Sequence, residues 1–241
     1  IRGIGTEGPA TYAGGDPAVV VMVDGVYIGR ISGTPADLFD LHRVEVLRGP
    51  QGTIYGKNAT GGVVNLVTNQ PEFTRSGQLS LTAGNLDRVN VRAHLTGDIS
   101  DSWAGRLSFS SISRDGFIAN RETGNDLSDE NRESIRASLR YKPNERLDAR
   151  LSIDASRERE TGAPRDIVED GTFNGGIHAI TDPGPRAINA PVDPFIDRDI
   201  RGLTLQADYQ LPLGLLTSVT AYRETDADWQ HPFFGNPVTS T

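Results

Sequence analysis

The strongest constraint on the fold is a two-residue alternation of apolar and polar side chains that recurs along residues 77–224. Alternation with this period indicates β-strands that have one apolar and one polar face. The apolar positions form seven runs, at residues 79–83, 89–95, 107–109, 135–141, 147–155, 203–211 and 213–221. The pattern therefore predicts seven antiparallel strands, the last with its polar face at Ser218, Thr220, Tyr222 and Glu224. By itself the alternation fits a soluble sheet as well as the wall of a membrane barrel.

The connections between these runs favour a barrel. Short turns at residues 98–102, 143–145 and 212–214 alternate with long polar connections at 115–133 and 158–200. These three short turns fall at one end of the predicted strands and the long connections at the other, which is typical of outer-membrane barrels. Only the connection at residues 84–87 is short where a long one was possible. A compact soluble domain seldom contains a structureless connection as long as the second one. Because seven strands cannot close in lipid, a barrel requires further strands from outside this sequence.

Residues 1–72 have a different, glycine-punctuated pattern that predicts a small α+β unit. A buried strand and its return strand are joined by a tight turn at residues 24–25. One or two helical turns are predicted over residues 36–41. Two more strands, at residues 43–47 and 63–68, complete the unit.

The composition excludes several classes of function. The chain has 24 basic and 32 acidic residues, for a net charge of −8, so we expect no nucleic-acid partner, because phosphates attract a basic surface. It has no cysteine, which excludes thiolate metal sites, catalytic thiols and disulfide scaffolds. Only 36% of the residues are hydrophobic, and no run approaches the roughly 18 apolar residues of a transmembrane helix.

Several short motifs resemble catalytic or cofactor sites, but the residues and elements that such sites require around them are missing. The G-x-G-x-x-G at residues 3–8 has no strand before it and no helix after it, so it does not predict a dinucleotide site. Asn58 follows Gly56 and Lys57 where a phosphate loop needs a serine or threonine. The four histidines lack metal-pair spacing, and residues 126–130 lack the spacing of a calcium loop. The chain is therefore predicted to be no enzyme and to hold no metal or cofactor.

Residues 41–68, with VLRGPQGTIYGKNATGG at their centre, resemble the second half of the plug domain of TonB-dependent outer-membrane receptors. Residues 1–3 and 23–25 are similar to two further plug motifs. The turn residues of these motifs are Asp24, Gly25, Gly49, Pro50, Gly52, Gly56, Gly61 and Gly62. The resemblance implies that residues 1–72 are the C-terminal part of a plug and that residues 73–241 begin a barrel. The implied fold is an α+β plug fragment followed by antiparallel transmembrane β-barrel strands, about seven of about 22.

The same resemblance assigns a role to two arginines. In this family, arginines at the positions of Arg2 and Arg48 pair with glutamates of later barrel strands, which would lie beyond residue 241. Buried guanidinium groups require such carboxylates, and an ion network of this kind holds a plug while still allowing release. The resemblance therefore implies a plug–barrel ion network that includes Arg2 and Arg48.

The function that the resemblance implies is active uptake across the outer membrane of a Gram-negative cell. External loops capture a scarce ligand, most often a ferric siderophore or another iron complex, and elsewhere cobalamin, haem or a glycan. The inner-membrane TonB complex then pulls an N-terminal segment of the receptor. In the predicted loop at residues 158–200 and the next one, we expect ligand contacts from Arg165, Phe173, Arg186, Phe195 and Trp229.

The two ends of the sequence resemble interior parts of a longer chain. The sequence starts at Ile1 without a leader, and residues 233–241 are predicted to be a loop. We therefore expect an internal piece of a longer protein, with the TonB-binding segment outside it. The competing function is a non-transporting, β-rich surface adhesion module. It predicts that Leu151, Ile153, Leu203 and Leu205 face a protein core.

Overall fold

The structure is a computed structural model of the chain. It describes residues 17–35, 37, 39–56, 58–162, 171–173, 176–178, 186–233 and 236–240. Across these residues, no helix has the length and apolar character needed to cross a membrane.

The first part of the described chain forms a four-stranded mixed sheet. Its strands are β1 (Val19–Val23), β2 (Val26–Ile28), β3 (Leu41–Arg48) and β4 (Gly62–Thr68). The spatial order is β2-β1-β4-β3, and β1 and β4 run parallel while the other pairs are antiparallel. Asp24 and Gly25 join β1 to β2 with φ angles of 51° and 80°, as a tight hairpin turn requires. The strands and the turn predicted from the sequence are confirmed.

The predicted helix over residues 36–41 is wrong for the residues of it that the structure describes. A short 3₁₀ helix occupies Ile31–Gly33 instead, neither Asp37 nor Phe39 is helical, and β3 begins at Leu41. Asp40 has a φ of 55°, which lies outside the right-handed helical region. Tertiary contacts of the aspartate side chains, described below, override the local helical preference. One turn of helix, α1 (Gly52–Tyr55), lies between β3 and β4.

The rest of the chain is built from strands. They are β5 (Ser76–Ala83), β6 (Val89–Ser100), β7 (Trp103–Arg114), β8 (Ile118–Asn120), β9 (Asp126–Leu127), β10 (Glu130–Tyr141), β11 (Leu147–Glu160), β12 (Gly171–Phe173), β13 (Gly176–His178), β14 (Ala187–Ile188), β15 (Phe195–Leu211), β16 (Gly214–Phe233) and β17 (Asn236–Ser240). Eight of them, within the described residues, form one antiparallel sheet in the order β17-β16-β15-β11-β10-β7-β6-β5. We call this the barrel sheet. It contains the seven predicted strands and adds β17, where the sequence predicted only a loop.

The connections alternate in length as predicted, although the long ones are shorter than expected. The turns after β6, β10 and β15 are short, whereas residues 115–129 and 161–194 form the long connections at the opposite end. Strands β10 and β11 extend into the predicted loops because their ends continue to pair with neighbouring strands. In the first connection, β8 pairs with β9 and with β14 of the second, so the two long loops are joined by a small sheet.

The faces of the barrel sheet are inverted relative to a soluble protein. On β7, Leu107 is 51% exposed, whereas the neighbouring Ser108 and Ser110 are each 1% exposed. Leu151, Ile153, Leu203 and Leu205 are likewise exposed, which is opposite to the expectation of the adhesion module. An exposed apolar face with a buried polar face is the arrangement of a strand whose outer side meets lipid.

The predicted faces of the last run, now part of β16, are wrong. Pairing with β15 sets Leu203 opposite Tyr222 and Leu205 opposite Thr220, so the even-numbered residues lie on the apolar outer face. Arg223 lies on the polar inner face instead, opposite Gly202. Consecutive leucines at 215 and 216 make the alternation ambiguous here, and the register with β15 decides it.

Candidate functional site

The four-stranded sheet is held against the polar inner face of the barrel sheet by three carboxylates. They come from the β1–β2 turn and from the segment before β3, and their partners are arginines on β6, β7 and β10. We call this contact the acidic seam; its ion pairs are Asp24–Arg136, Asp37–Arg92 and Asp40–Arg106.

Asp40 makes the most enclosed of these ion pairs. Arg106 of β7 donates to its carboxylate through Nε, at 2.8 Å, and through Nη2. The Asp40 and Arg106 side chains are only 4% and 6% exposed. Ser108 also donates to the carboxylate, and Asn69 Nδ2 donates to it at 2.9 Å. A buried ion pair is tolerable only when hydrogen bonds replace the lost water, as they do here.

This environment sets the charge state of Asp40. Burial raises the pKa of its carboxyl, but hydrogen bonds from Arg106, Ser108 and Asn69 lower it by more. The net effect holds the pKa of Asp40 below its ordinary value. The carboxylate is therefore ionised at neutral pH, as an ion pair with Arg106 requires.

Asp37 also binds the barrel sheet, at β7 and at the neighbouring strand β6. Its carboxylate accepts a hydrogen bond from Ser110 of β7, and Arg92 Nη2 of β6 lies 3.2 Å away. The Asp37 side chain is 8% exposed and that of Arg92 is 50% exposed. Asp37 and Asp40 together attach the segment before β3 to two adjacent strands of the barrel sheet.

Asp24 connects the tight turn to β10. Its carboxylate accepts hydrogen bonds from the backbone N–H and the hydroxyl of Thr68, both at 2.8 Å. Arg136 Nη1 donates to the same carboxylate at 3.0 Å, and also to the Thr68 hydroxyl at 3.0 Å. Asp24 therefore closes the end of its own sheet and also binds the barrel sheet.

From Arg136 the ion network continues along the inner face. Arg136 Nη2 lies 3.7 Å from Asp154 of β11, and Arg223 of β16 binds Asp154 at 2.9 Å. Between them on β15 stands Gly202, where a Cβ would lie 2.6 Å from Arg223 Nη1 and 2.7 Å from Asp154 Oδ1. The absence of a side chain at Gly202 is what lets the two ions meet across β15.

A further contact reaches the four-stranded unit from β15. Arg198 Nη1 donates to the backbone carbonyl of Ser32 at 2.9 Å, while its Nη2 pairs with Glu158 of β11 at 2.5 Å. Arg132 of β10 pairs in turn with Glu160, at 2.6 Å. The 3₁₀ segment that contains Ser32 is thereby tied to the wall next to the bases of the long loops.

The turn residues predicted from the plug motifs lie at turns. Gly49, Gly56 and Gly62 have φ angles of 90°, 78° and 140°, a region that favours glycine. Pro50 precedes α1, Gly52 begins it, and the Gly61 N–H donates to the carbonyl of Ala18 at 2.7 Å. These residues shape the β3–β4 connection rather than the contact with the barrel sheet.

The predicted ion-network arginines are not part of the acidic seam. Arg48 is exposed at the end of β3 and makes no ion pair with another residue of the described chain. Arg2 lies outside the described residues. The pairing of both with later strands stays a prediction.

The predicted ligand residues do not form one cluster in the described structure. Arg165 lies outside the described residues, and of Phe173 only the backbone, in β12, is described. Arg186 is exposed in the turn before β14, with a φ of 59°. Register pairs Ile196 with Trp229, so Trp229 shares the inner face with Arg198, whereas Phe195 lies on the outer face. These ligand contacts also stay predictions.

Sequence reasoning missed the acidic seam, although part of its signal was present. Arg92 and Arg136 stand at polar positions of the alternating pattern, and charges on the inner face of a barrel need partners. The predicted helix over residues 36–41 included Asp37 and Asp40, and no partner was predicted for their carboxylates. Only the tertiary fold shows that the two sets of charges meet.

Comparison with known proteins agrees with this architecture. Residues 1–63 match the family model described as TonB-dependent Receptor Plug Domain. The pesticin receptor of Yersinia pestis is 32% identical over 212 residues, which cover 87% of this chain and 30% of that receptor. The ferrioxamine receptor of Yersinia enterocolitica is 32% identical over 139 residues, which cover 58% of this chain and 19% of that receptor.

Solved structures give the same result for the fold. The ferric yersiniabactin uptake receptor FyuA from Yersinia pestis superposes with a TM-score of 0.75 at 27% identity, covering 89% of this chain and 33% of that one. The ferric-catecholate import receptor Fiu from E. coli K12, in its open form, gives a TM-score of 0.69 at 17% identity, covering 87% of this chain and 32% of that one, and supports the fold alone. The chain thus spans about a third of the length of these relatives.

Proposed function

The chain belongs to the TonB-dependent receptor family of the Gram-negative outer membrane, whose members are not enzymes, and on that premise we propose that it is part of a receptor for active uptake. The four-stranded sheet would be the plug, and the barrel sheet would be the first part of the wall around it. The plug would block free passage until the TonB complex of the inner membrane displaces it.

One observation carries this proposal. A folded mixed sheet is docked on the buried polar face of a sheet whose apolar face is exposed, and the contact is made by ion pairs such as Asp40–Arg106. A plug has to occupy the lumen securely and still leave it, and polar contacts suit this better than an apolar core, because water can replace them. A porin-like barrel that allows free diffusion is disfavoured, because such a sheet would obstruct its lumen.

We propose an iron chelate as the ligand. The proposal is supported by the similarity to the ferrioxamine receptor and to the ferric yersiniabactin uptake receptor. Cobalamin is the second candidate, since the vitamin B12 transporter BtuB of Vibrio vulnificus is 32% identical over 106 residues.

Several assignments belong to the same proposal. The boundary between plug and barrel would fall near residue 72, in the connection between β4 and β5. Arg2 and Arg48 would pair with barrel carboxylates outside this sequence. The long connection at residues 161–194, with Arg165, Phe173 and Arg186, would contribute to the external ligand surface together with Phe195 and Trp229.

Growth under iron starvation tests the proposed function. The gene for the full receptor would be deleted from its native host, and growth under iron starvation would be measured on ferrioxamine B and on ferric yersiniabactin. Cobalamin use would be measured separately, in iron-replete medium and in a strain whose growth requires cobalamin. We expect the deletion to abolish growth on at least one iron chelate, and deletion of tonB to give the same loss. Unchanged growth on both chelates with loss of cobalamin use would favour the second candidate. A loss that does not require TonB would contradict active uptake.

A further inference from the structure

The ion pairs of the acidic seam differ in what each partner keeps when the pair separates. Asp24 retains two hydrogen bonds from Thr68 of its own sheet, at 2.8 Å each. Arg136 retains Asp154 of the adjacent strand, 3.7 Å away and itself held by Arg223. After separation, neither charge of this pair is left without a partner on its own side.

The Asp40 and Asp37 contacts each lack this reserve on one side. Asp40 keeps its hydrogen bond from Asn69, and Arg92 is half exposed, but Arg106 and Asp37 have no second partner on their own side within the described chain. Both hydrogen bonds of the Arg106 side chain go to Asp40, and no other partner of Arg106 lies among the described residues. The Asp37 carboxylate has only Arg92 and Ser110 as described partners, and both belong to the barrel sheet. Separation here would leave a charge in a buried site without compensation, which is strongly unfavourable.

These differences also have a direction in space. Asp37 and Asp40 bind β6 and β7, toward one edge of the barrel sheet, whereas Asp24 binds β10, from which β11, β15 and β16 follow in order toward the other edge. The contact with a reserve and the contacts without one therefore face different parts of the wall. A further contact on the β10 side, from Arg198 of β15 to the Ser32 carbonyl, also has a reserve, because Arg198 keeps Glu158 when that hydrogen bond separates.

We propose that the acidic seam opens in a fixed order. The Asp24–Arg136 pair and the Arg198–Ser32 hydrogen bond separate first, while Asp37 and Asp40 remain bound to β6 and β7. A passage then forms between the four-stranded sheet and the wall made by β10, β11, β15 and β16. The order is a property of the seam itself, and its use in transport rests on the proposed function.

Arginine-specific labelling of the full receptor tests the order without any substitution. Arg136 and Arg106 start almost equally buried, with side chains 11% and 6% exposed. The receptor in lipid vesicles would be treated with phenylglyoxal at rising urea concentrations, and the modified peptides would be counted by mass spectrometry. We expect Arg136 to be modified at urea concentrations at which Arg106 is still protected. Simultaneous labelling, or labelling of Arg106 first, would overturn the proposal.

Reversible cross-links give a second test in planar bilayers. This chain contributes no native cysteine. In a full receptor with any other cysteine replaced by serine, the double variants Asp24→Cys with Arg136→Cys, and Asp37→Cys with Ser110→Cys, can each be joined by a short bis-thiosulfonate reagent. We expect the first cross-link to prevent urea-induced channel opening until reductant is added. The Asp37–Ser110 cross-link should not change the urea concentration at which the channel opens. The same double variant after reduction is its matched control.

The outcomes of these tests are independent of uptake. Blocking by the second cross-link and not by the first would place the opening on the other wall and overturn the proposal. Because neither test uses a ligand or TonB, failure of the order would leave the proposed uptake function intact. Conversely, a receptor that shows the order but supports no growth on a chelate would contradict only the proposed function.

Discussion

At the scale of single residues, the acidic seam depends on carboxylates whose partners come from two sheets. Asp24 and Asp40 bind side chains at the end of β4, namely Thr68 and the following Asn69, and both also bind barrel arginines. Each aspartate therefore couples the order of its own sheet to the position of that sheet on the wall. Loss of one carboxylate would therefore weaken both the end of the four-stranded sheet and its contact with the barrel sheet.

We predict that Asp40→Asn weakens the docking of the four-stranded sheet by about 3 kcal/mol, because it leaves the buried Arg106 guanidinium without its countercharge. The urea midpoint for complete release of the four-stranded sheet, followed by pulsed protease cleavage of that sheet, measures the effect, because the Asp40 contact separates only after the channel has opened. Glu45→Gln is the matched control, since Glu45 forms an exposed pair with Arg43 at 2.7 Å on the same sheet. It should not move the midpoint. Equal effects of the two substitutions would show that burial of the pair is unimportant.

A pH dependence follows from the lowered pKa of Asp40. A carboxyl whose pKa is lower in the folded state stabilises that state above its unfolded pKa, about 3.9, and loses this contribution as the pH falls through the folded value. The difference in urea midpoint between the native receptor and Asp40→Asn should therefore be constant from pH 7 to pH 5. We predict that it shrinks below about pH 4. A difference that already disappears at pH 5 would contradict the direction of the pKa shift.

At the scale of elements, the sequence predicted strands and turns well and predicted poorly what depends on long-range contacts. The β1–β2 hairpin follows from Asp24 and Gly25, because few other residues accept a positive φ. The strand faces follow from alternation up to β15. The predicted faces are wrong at β16, where Leu215 and Leu216 interrupt the alternation. The acidic seam was missed because the sequence around Asp37 does not indicate that its carboxylate binds Ser110, a residue distant in the chain.

The hairpin turn permits a test of backbone conformation alone. A Cβ at Gly25 would meet nothing within 4 Å, but the φ of this residue is +80°. We predict that Gly25→Ala destabilises the four-stranded sheet by about 1 kcal/mol through left-handed strain. Gly52→Ala is the matched control, because a Cβ there is also unobstructed and the φ carries no such penalty. Urea-dependent protease cleavage of the receptor would compare the two, and equal stability would contradict the prediction.

The outer face of β11 permits a test of lipid contact. Ile153 is 55% exposed on this face, whereas Leu213, 102% exposed, lies in the turn between β15 and β16. We predict that Ile153→Arg lowers the stability of the full receptor in lipid vesicles by about 2–4 kcal/mol, because an arginine near the membrane centre is poorly solvated. Leu213→Arg should have little effect. Urea titration followed by heat-modifiable gel mobility measures both, and tolerance of Ile153→Arg would indicate that the face meets water.

At the scale of the whole molecule, the two sheets have complementary requirements. The barrel sheet exposes leucines such as Leu107 and buries serines and arginines, so it is stable only with lipid outside and a polar partner inside. The four-stranded sheet supplies that partner through the acidic seam. Its own core is small, with clusters centred on Val20 and Val63 and on Val23 and Leu66, and a small core favours dependence on docking.

The measurement that tests this account most directly is the location and gel mobility of the native protein. Source cells would be fractionated, and an antibody raised against this chain would be used on boiled and unboiled samples. The account predicts a band in the outer-membrane fraction, several-fold larger than this chain alone and shifted by heating, as a lipid-embedded barrel requires. A soluble band of the size of this chain, with the same mobility before and after boiling, would contradict it.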